Sequence, residues 1–338
     1  MSSSDTSAPE TTGRSWLGGL RNQVQQLFAF LGLILIFVVF SIAQPAVFPT
    51  YSNITGNILF SAVVIGLLAL GATMVIITGG IDLSVGTGMT LCAVMSATFM
   101  VTWGLPVWLG LLLTLLFGAL IGFINGTNVA ILGLPPFIAT LAMMLIAQGL
   151  ALVISNAAPI YFDATGAHAA FIWLSTGNLI PRFPNAVIVF LLAAIVAYIL
   201  LNKTLLGRYD ISIGSNVEAT ALSGINTKKW LIIIYATAGL FTALGGIMIS
   251  ARLGSAQPAT GAGYELQAIA AVVIGGTSLS GGKGTIVGTV IGALIIAVIN
   301  NGLQIMSVRQ EWQNVILGLV ILIVVFIDQL RSRRLASS

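Results

Sequence analysis

Apolar positions in this chain come in long blocks rather than in the alternating or three-to-four-residue patterns of amphipathic strands and helices. The blocks fall at 27–43, 57–78, 85–103, 106–130, 136–154, 185–201, 230–250, 264–276, 285–304 and 312–328, separated by Gly, Pro, Asn and charged residues. Most are close to the ~20 residues that a helix needs to cross hydrocarbon. The pattern predicts an all-α polytopic membrane protein of about ten transmembrane helices, some of them broken or hinged. Residues 1–26, polar and rich in Ser, Thr and Pro at their start, read as a disordered tail; 27–328 read as one membrane domain and 329–338 as a second tail. Ser41-Ile42-Ala43 after Arg14 and Arg21 faintly resembles a signal-peptide end. The length of the first block and the closeness of the next favour a retained span.

Composition removes whole classes. The 338 residues are 57% hydrophobic and 7% charged, with a mean hydropathy of +1.06, against about 25% charged in a soluble domain. No room remains for a soluble catalytic domain. The few charges orient the chain. With ten spans, Arg14, Arg21, Lys203, Arg208, Lys228, Lys229, Lys283, Arg331, Arg333 and Arg334 fall on one side, and Arg182, Arg252 and Arg309 on the other. The basic excess predicts both termini in the cytoplasm. Trp16, Trp103, Trp108, Trp173, Trp230 and Trp312 all stand at expected span ends, as interfacial rings should. The basic residues are scattered rather than gathered on a face, which argues against nucleic acid. Cys92 has no disulfide partner, and the single His168 cannot build a metal site. Gly118 with Gly122, and Gly284, Gly288 and Gly292, have the spacing of helix-packing seams.

The strongest internal signal is a repeat. Gly79-Gly80-Ile81-Asp82-Leu83-Ser84-Val85-Gly86 aligns with Gly275-Gly276-Thr277-Ser278-Leu279-Ser280-Gly281-Gly282 at a constant offset of 196 residues, sharing the pattern GGxxLSxG. Each copy follows an apolar block. Each should break a helix and expose backbone groups that need protein partners or a cavity, the arrangement that marks a transport pathway; an ordinary tight turn is the plainer alternative. Asp82, the one charged residue from 22 to 162, either lines a pathway or belongs to a helix start, with Asp82 or Ser84 as N-cap. Glu265 poses the same choice on the external side.

In the loop 202–229, Asn216 reads as an N-cap, Glu218 as a first-turn acid and Gly224 as a C-cap, predicting a helix of about two turns that includes Ala219 and Leu222. So short a helix needs something to dock on. Gly282-Lys283-Gly284 is not a phosphate loop, because Thr277 stands where GxxxxGK needs Gly and Gly284 where it needs Ser or Thr.

These segments carry a resemblance. GGIDLSVG (79–86), TLLGRYDISIGSNVEATALSGIN (204–226) and ARLGSAQPATGAGYELQAIAAVVIGGTSLSGGKGTIVGT (251–289) are similar to the permease subunits of bacterial ABC monosaccharide importers, the ribose type above all. The similarity runs from about Ser52 to Asp328. It implies an inner-membrane protein working with a second permease copy, a cytoplasmic ATPase of two fused nucleotide-binding modules, and an extracytoplasmic sugar-binding protein. ATP and magnesium would then be held by the ATPase, with no cofactor in this chain. It further implies that Asn216 to Leu222 is the coupling helix, that the external loops 155–184 and 252–263 face the binding protein, and that the chain itself is not an enzyme. Related permeases often carry a basic residue where Ala221 stands, so no charge contact is expected there. A neutral sugar needs hydroxyl and amide partners, for which Thr78, Ser84, Asn125, Asn128, Gln148, Asn300 and Gln304 are candidates. The rival is an ion-coupled secondary transporter using Asp82, disfavoured by the scarcity of intramembrane acids.

Overall fold

The structure, a computed structural model, describes residues 13–336, with side chains described from 26 to 326 except 324. It consists of α1 (Gly13–Ala43), α2 (Tyr51–Asn53), a π-turn (Ile54–Ile58) leading into α3 (Leu59–Ile77), α4 (Val85–Ala97) with a terminal π-turn (Thr98–Thr102), α5 (Val107–Ala130), α6 (Pro136–Ile154), β1 (Ile160–Tyr161), α7 (Ala169–Thr176), α8 (Asn185–Lys203), α9 (Leu205–Ser215), α10 (Val217–Leu222), α11 (Thr227–Leu253), β2 (Ser255–Ala256), α12 (Tyr264–Ile274), α13 (Ile286–Ile305) and α14 (Gln310–Ala336). Helix therefore reaches back to Gly13 and on to Ala336, into the two segments the sequence reads as tails; residues 1–12, 337 and 338 lie outside the described residues.

Among the described residues eight helices are long and apolar enough to span a membrane, and Tyr264–Ile274 and Gln310–Ile323 are shorter apolar helices. These ten coincide with the ten hydrophobic blocks. α12, with 11 residues, is only about 16 Å long and crosses roughly half of a ~30 Å hydrocarbon core.

Burial separates an inner pair from an outer shell. α3 and α4, apolar on every side, are almost wholly buried, enclosed by α5, α6, α8, α11, α12 and α13. By contrast α5, α6 and α8 present Leu116, Leu120, Leu145, Ile146, Leu192 and Ile195 outward, as lipid-facing helices do. The segment joining α3 to α4 buries Gly80, Asp82 and Ser84 but leaves Gly79 exposed.

Small residues close the seams. A methyl group on Gly118, Gly122 or Gly126 of α5 would strike α11 at Gly239, Tyr235 and Ile232, and one on Gly288 or Gly292 of α13 would strike the carbonyls of Gly275 and Ala271. The expected seams are present, extended on α5 by Gly126; Gly284 instead precedes α13 and faces the Ile77 side chain. Side-chain amides add polar ties. Asn53 and Asn301 exchange hydrogen bonds of 2.8 and 3.0 Å, and Asn53 also donates to the Phe48 carbonyl at 2.9 Å.

At the end of the bundle opposite α10, β1 and β2 form an antiparallel pair, Ile160 opposite Ala256 and Tyr161 opposite Ser255. His168 ties this loop down: its Nδ1 accepts from the Asp163 N–H (3.2 Å), so Nε2 donates to the Met100 carbonyl (3.2 Å). Beyond β2 the chain dips inward, and Gly261 packs against the backbone of Gly86 and the Thr90 hydroxyl. Both α4 and α12 therefore begin inside the bundle.

Candidate functional site: two glycine hinges and a short helix

The first repeat copy stops α3 through a left-handed residue. Gly79 has φ +83°, the Gly80 N–H bonds the Val75 carbonyl at 3.2 Å and the Gly79 N–H bonds Ile76 at 2.9 Å, a Schellman cap. The second copy stops α12 the same way: Gly276 has φ +92°, with Thr277 N–H to Val272 (3.2 Å) and Gly276 N–H to Val273 (2.9 Å). The devices match, but Gly79 corresponds structurally to Gly276 rather than to Gly275. The sequence alignment is therefore one residue out of register at the caps. After the caps the copies diverge. Residues 80–84 run without regular structure into α4, whereas 277–285 turn through Gly281 N–H to Ser278 O and Ser278 N–H to Lys283 O, both 3.1 Å.

The segment 80–84 is stitched to its surroundings by side chains. Thr140 Oγ1 accepts from the Leu83 N–H at 3.1 Å, and its proton is within reach of the Ile81 carbonyl (3.0 Å) and of Pro136 in its own helix (2.9 Å). Asp82 Oδ1 accepts from the Ser84 N–H (2.8 Å) and the Ser84 hydroxyl (2.6 Å), and Ser84 Oγ accepts from Asn125 Nδ2 (2.9 Å). This corrects the capping expectation. Ser84 stands at the N-cap position of α4, but its hydroxyl turns back to Asp82, and no side chain caps that helix. Two buried atoms nearby, Asn125 Oδ1 and the Tyr235 hydroxyl beside Gly80, have no partner among the described residues.

Glu265 does sit in the first turn of α12 and accepts from the Gly263 N–H at 3.0 and 3.1 Å. This is the helix-start position expected for it, and its half-buried carboxylate abuts Gly86 of α4.

Both hinges meet α9. The Gly282 N–H donates to the Ile77 carbonyl at 2.8 Å, and Gly214 of α9 packs where a side chain would overlap both partners of that bond. Gly281 in turn faces the Gly214 carbonyl and the Gly79 N–H. Three glycine-containing segments, distant in sequence, thus form one backbone junction. α9 is pressed onto the bundle by a buried face of Leu206, Gly207, Asp210 and Ile213, and the Tyr209 ring packs at a tilt against Trp230 of α11, centroids 4.7 Å apart. Asp210 is fully buried with neither carboxylate oxygen bonded among the described residues. Burial pushes its carboxyl well above the usual range.

Three residues beyond Gly214, α10 begins. Asn216 Oδ1 accepts from the Ala219 N–H at 2.9 Å, Glu218 occupies the first turn, and the Gly224 N–H closes on Ala221 at 3.0 Å. The caps match expectation, and the helix of six residues is the expected length of about two turns. Its apolar Leu222 is 90% exposed.

The other polar candidates do not converge. Thr78 caps its own helix through Val75 (2.7 Å), Asn300 donates to Gln267 of α12 (3.0 Å), Asn128 is half-buried, and Gln148 and Gln304 are exposed on separate helices. Ser278 and Ser280 lie in the turn of the second hinge, where Ser278 Oγ accepts from the Ser280 N–H at 3.3 Å. Thr140 belongs to the site and had no motif to announce it; Gly214 and Asp210 also belong to it and lie inside the segment 204–226 that carries the resemblance, which gave no sign of what they pack against.

Residues 54–325 match the family described as branched-chain amino acid transport system / permease component. The chain belongs to this permease family. Among its curated relatives, a ribose import permease protein of Bacillus subtilis (strain 168) is 42% identical over 309 residues, 91% of this chain and 94% of that protein. The ribose import permease protein of Escherichia coli (strain K12) is 41% identical over 302 residues, 89% and 92% of the two chains. A fructose import permease protein of Rhizobium meliloti is 39% identical over 277 residues, 80% and 76%. No solved structure matches. The permease is thus a multi-pass inner-membrane component of an import system, and the resemblance seen in its motifs holds across nearly the whole chain.

Proposed function

We propose that this permease carries a monosaccharide, ribose or a similar pentose or hexose, inward across the bacterial membrane, driven by ATP that a separate subunit hydrolyses. The observation that carries the mechanism is the junction. An exposed, doubly capped helix presenting Leu222 is joined through Gly214 to the two hinges that begin α4 and end α12. A push on α10 therefore reaches the inner pair of helices without a flexible intermediate. In this reading α10 is the coupling helix, seated on a cytoplasmic ATPase with two fused nucleotide-binding modules that holds ATP and magnesium. Two permease copies enclose the path, and an extracytoplasmic sugar-binding protein delivers the substrate to the β1–β2 end. Nucleotide-driven closure moves α10, and the bundle alternates between outward and inward access.

The substrate class follows from the sugar-importing relatives. Ion coupling through Asp82 has little to recommend it, since one oxygen of that carboxylate already accepts both the Ser84 N–H and the Ser84 hydroxyl.

The test is uptake of labelled ribose into proteoliposomes holding the permease, its copurified ATPase and its binding protein. Uptake should require ATP and be indifferent to proton or sodium gradients. Replacing Ala219 by Trp should abolish binding-protein-stimulated ATP hydrolysis while leaving membrane insertion intact. Full coupling in that variant refutes the assignment of α10.

A further inference from the structure

Along their middles the outward faces of α5 and α8 carry only apolar side chains, such as Leu116 and Leu120 on the one and Leu192 and Ile195 on the other. α6 breaks this pattern at Gln148. Within Pro136–Ile154 that residue stands about 9 Å from the Ile154 end and about 18 Å from the Pro136 end at 1.5 Å per residue, too deep for so short a side chain to reach the headgroups. Its carboxamide is exposed and has no hydrogen-bond partner among the described residues. Among those residues it is the one exposed amide or charged group that stands more than about one and a half turns from both ends of its helix without a hydrogen bond. A bare carboxamide is costly in hydrocarbon, because its two N–H donors and its carbonyl lone pairs all go unmet there.

Either water in an open path or a protein group would meet them, and the company Gln148 keeps decides between the two. Ile138, Leu145 and Leu152 are exposed and Leu141 is half-buried. With Gln148 they recur at alternating steps of three and four residues, the stripe with which one helix packs lengthwise on another. A wetted wall needs polar groups along its length, whereas a packed seam needs only one to fix its register. The chain uses the same device internally, where amides join helices at Asn53 with Asn301 and at Asn300 with Gln267. The partner that fits is a second copy of this chain. Copies inserted with one topology run parallel, so a two-fold axis along the membrane normal brings a residue of α6 against itself at the same depth. A primary amide is complementary to itself, its N–H donating to the carbonyl oxygen of the other and accepting the same bond in return.

We propose that the stripe from Ile138 to Leu152 is the face on which two copies of this permease pair, with Gln148 bonded to Gln148 of the partner subunit at the two-fold axis. The opposite face of the same helix holds Ala139, Thr140, Met143, Ala147 and Ala151 against the bundle, and Thr140 carries the hydrogen bonds to Leu83 and Ile81. One helix diameter, about 10 Å, therefore separates the first hinge from the pairing face, and a shift of residues 81–83 reaches the partner through α6 alone.

The pairing face rests on the two-copy reading above, and the experiment tells the failure of one from the failure of the other. Gln148→Cys, Leu145→Cys, Ile146→Cys and Leu192→Cys are made singly in a Cys92→Ala background. Membranes holding the assembled transporter are oxidised with copper phenanthroline, and disulfide-linked permease dimer is measured on non-reducing gels. Gln148→Cys and Leu145→Cys should each give at least tenfold more dimer than Leu192→Cys on α8 and than Ile146→Cys, which is exposed on the same helix but off the stripe. Light scattering of the purified transporter counts its permease copies. Two copies without that excess of dimer overturn the pairing face and leave the two-copy reading standing; one copy overturns both. A membrane-impermeant maleimide gives a second measurement, in which Gln148→Cys should react no faster than Leu192→Cys. Reaction at least tenfold faster means that water, rather than a second copy, meets this amide, and overturns the pairing face.

Discussion

Gly214→Ala tests the junction through the sign of its effect. Within a helix Ala is favoured over Gly by about 0.5–1 kcal/mol, so if Gly214 were only a helical residue, the substitution would stabilise the protein. The structure demands the opposite. A methyl group there overlaps the Ile77 carbonyl oxygen and crowds the Gly282 N–H, so the 2.8 Å bond between those two groups and the added carbon cannot occupy the same space. Overpacking costs about 1–3 kcal/mol, and leaving a buried donor unpaired about 1–3 more. Against the helical gain, the net destabilisation is about 1–5 kcal/mol, concentrated where both hinges meet α9. Thermal unfolding of the detergent-solubilised protein should show a lower Tm for Gly214→Ala, and binding-protein-stimulated ATP hydrolysis of the assembled transporter should fall with it. Gly149→Ala, in α6 with open space around it, should hold or raise Tm. If Gly214→Ala is as stable as wild type and fully coupled, the junction does not transmit force, and the route from α10 to the hinges is wrong.

Asp210 predicts a pH dependence. Its folded carboxyl titrates well above the unperturbed 3.8, so between those two values the folded protein binds more protons than the unfolded chain, and stability falls as pH rises, by up to about 1.4 kcal/mol per unit. Asp210→Asn should flatten this part of the profile in thermal unfolding between pH 4 and 8 and be more stable than wild type at the alkaline end; an unchanged slope refutes the burial argument. For Asp82, Asn keeps an acceptor for the Ser84 N–H, whereas Leu strands that N–H and the Ser84 hydroxyl. Asp82→Asn should cost about 1 kcal/mol and Asp82→Leu about 2–5 kcal/mol in unfolding assays. Equal loss in both would mean that the charge, rather than the acceptor, is what the site needs.

Much of the architecture is written in the hydrophobic blocks, because crossing a membrane is a local demand: about twenty apolar residues suffice, whatever lies beside them. The ten apolar segments, the helix-ending glycines at both repeats and the caps of α10 at Asn216 and Gly224 all depend on neighbours a few residues away, and all were legible. What surrounds each helix was not. Asn53 meeting Asn301, Thr140 stitching residues 81–83, and Gly214 seated on Ile77 and Gly282 join positions that only packing brings together. The repeat shows both sides. Its glycines announced two helix ends, but tertiary structure decided that Gly79 corresponds to Gly276, and that the Ser84 hydroxyl turns to Asp82 instead of capping α4. Small and hydroxyl-bearing residues are permissive in sequence, since their role depends on which backbone or side chain the fold places against them.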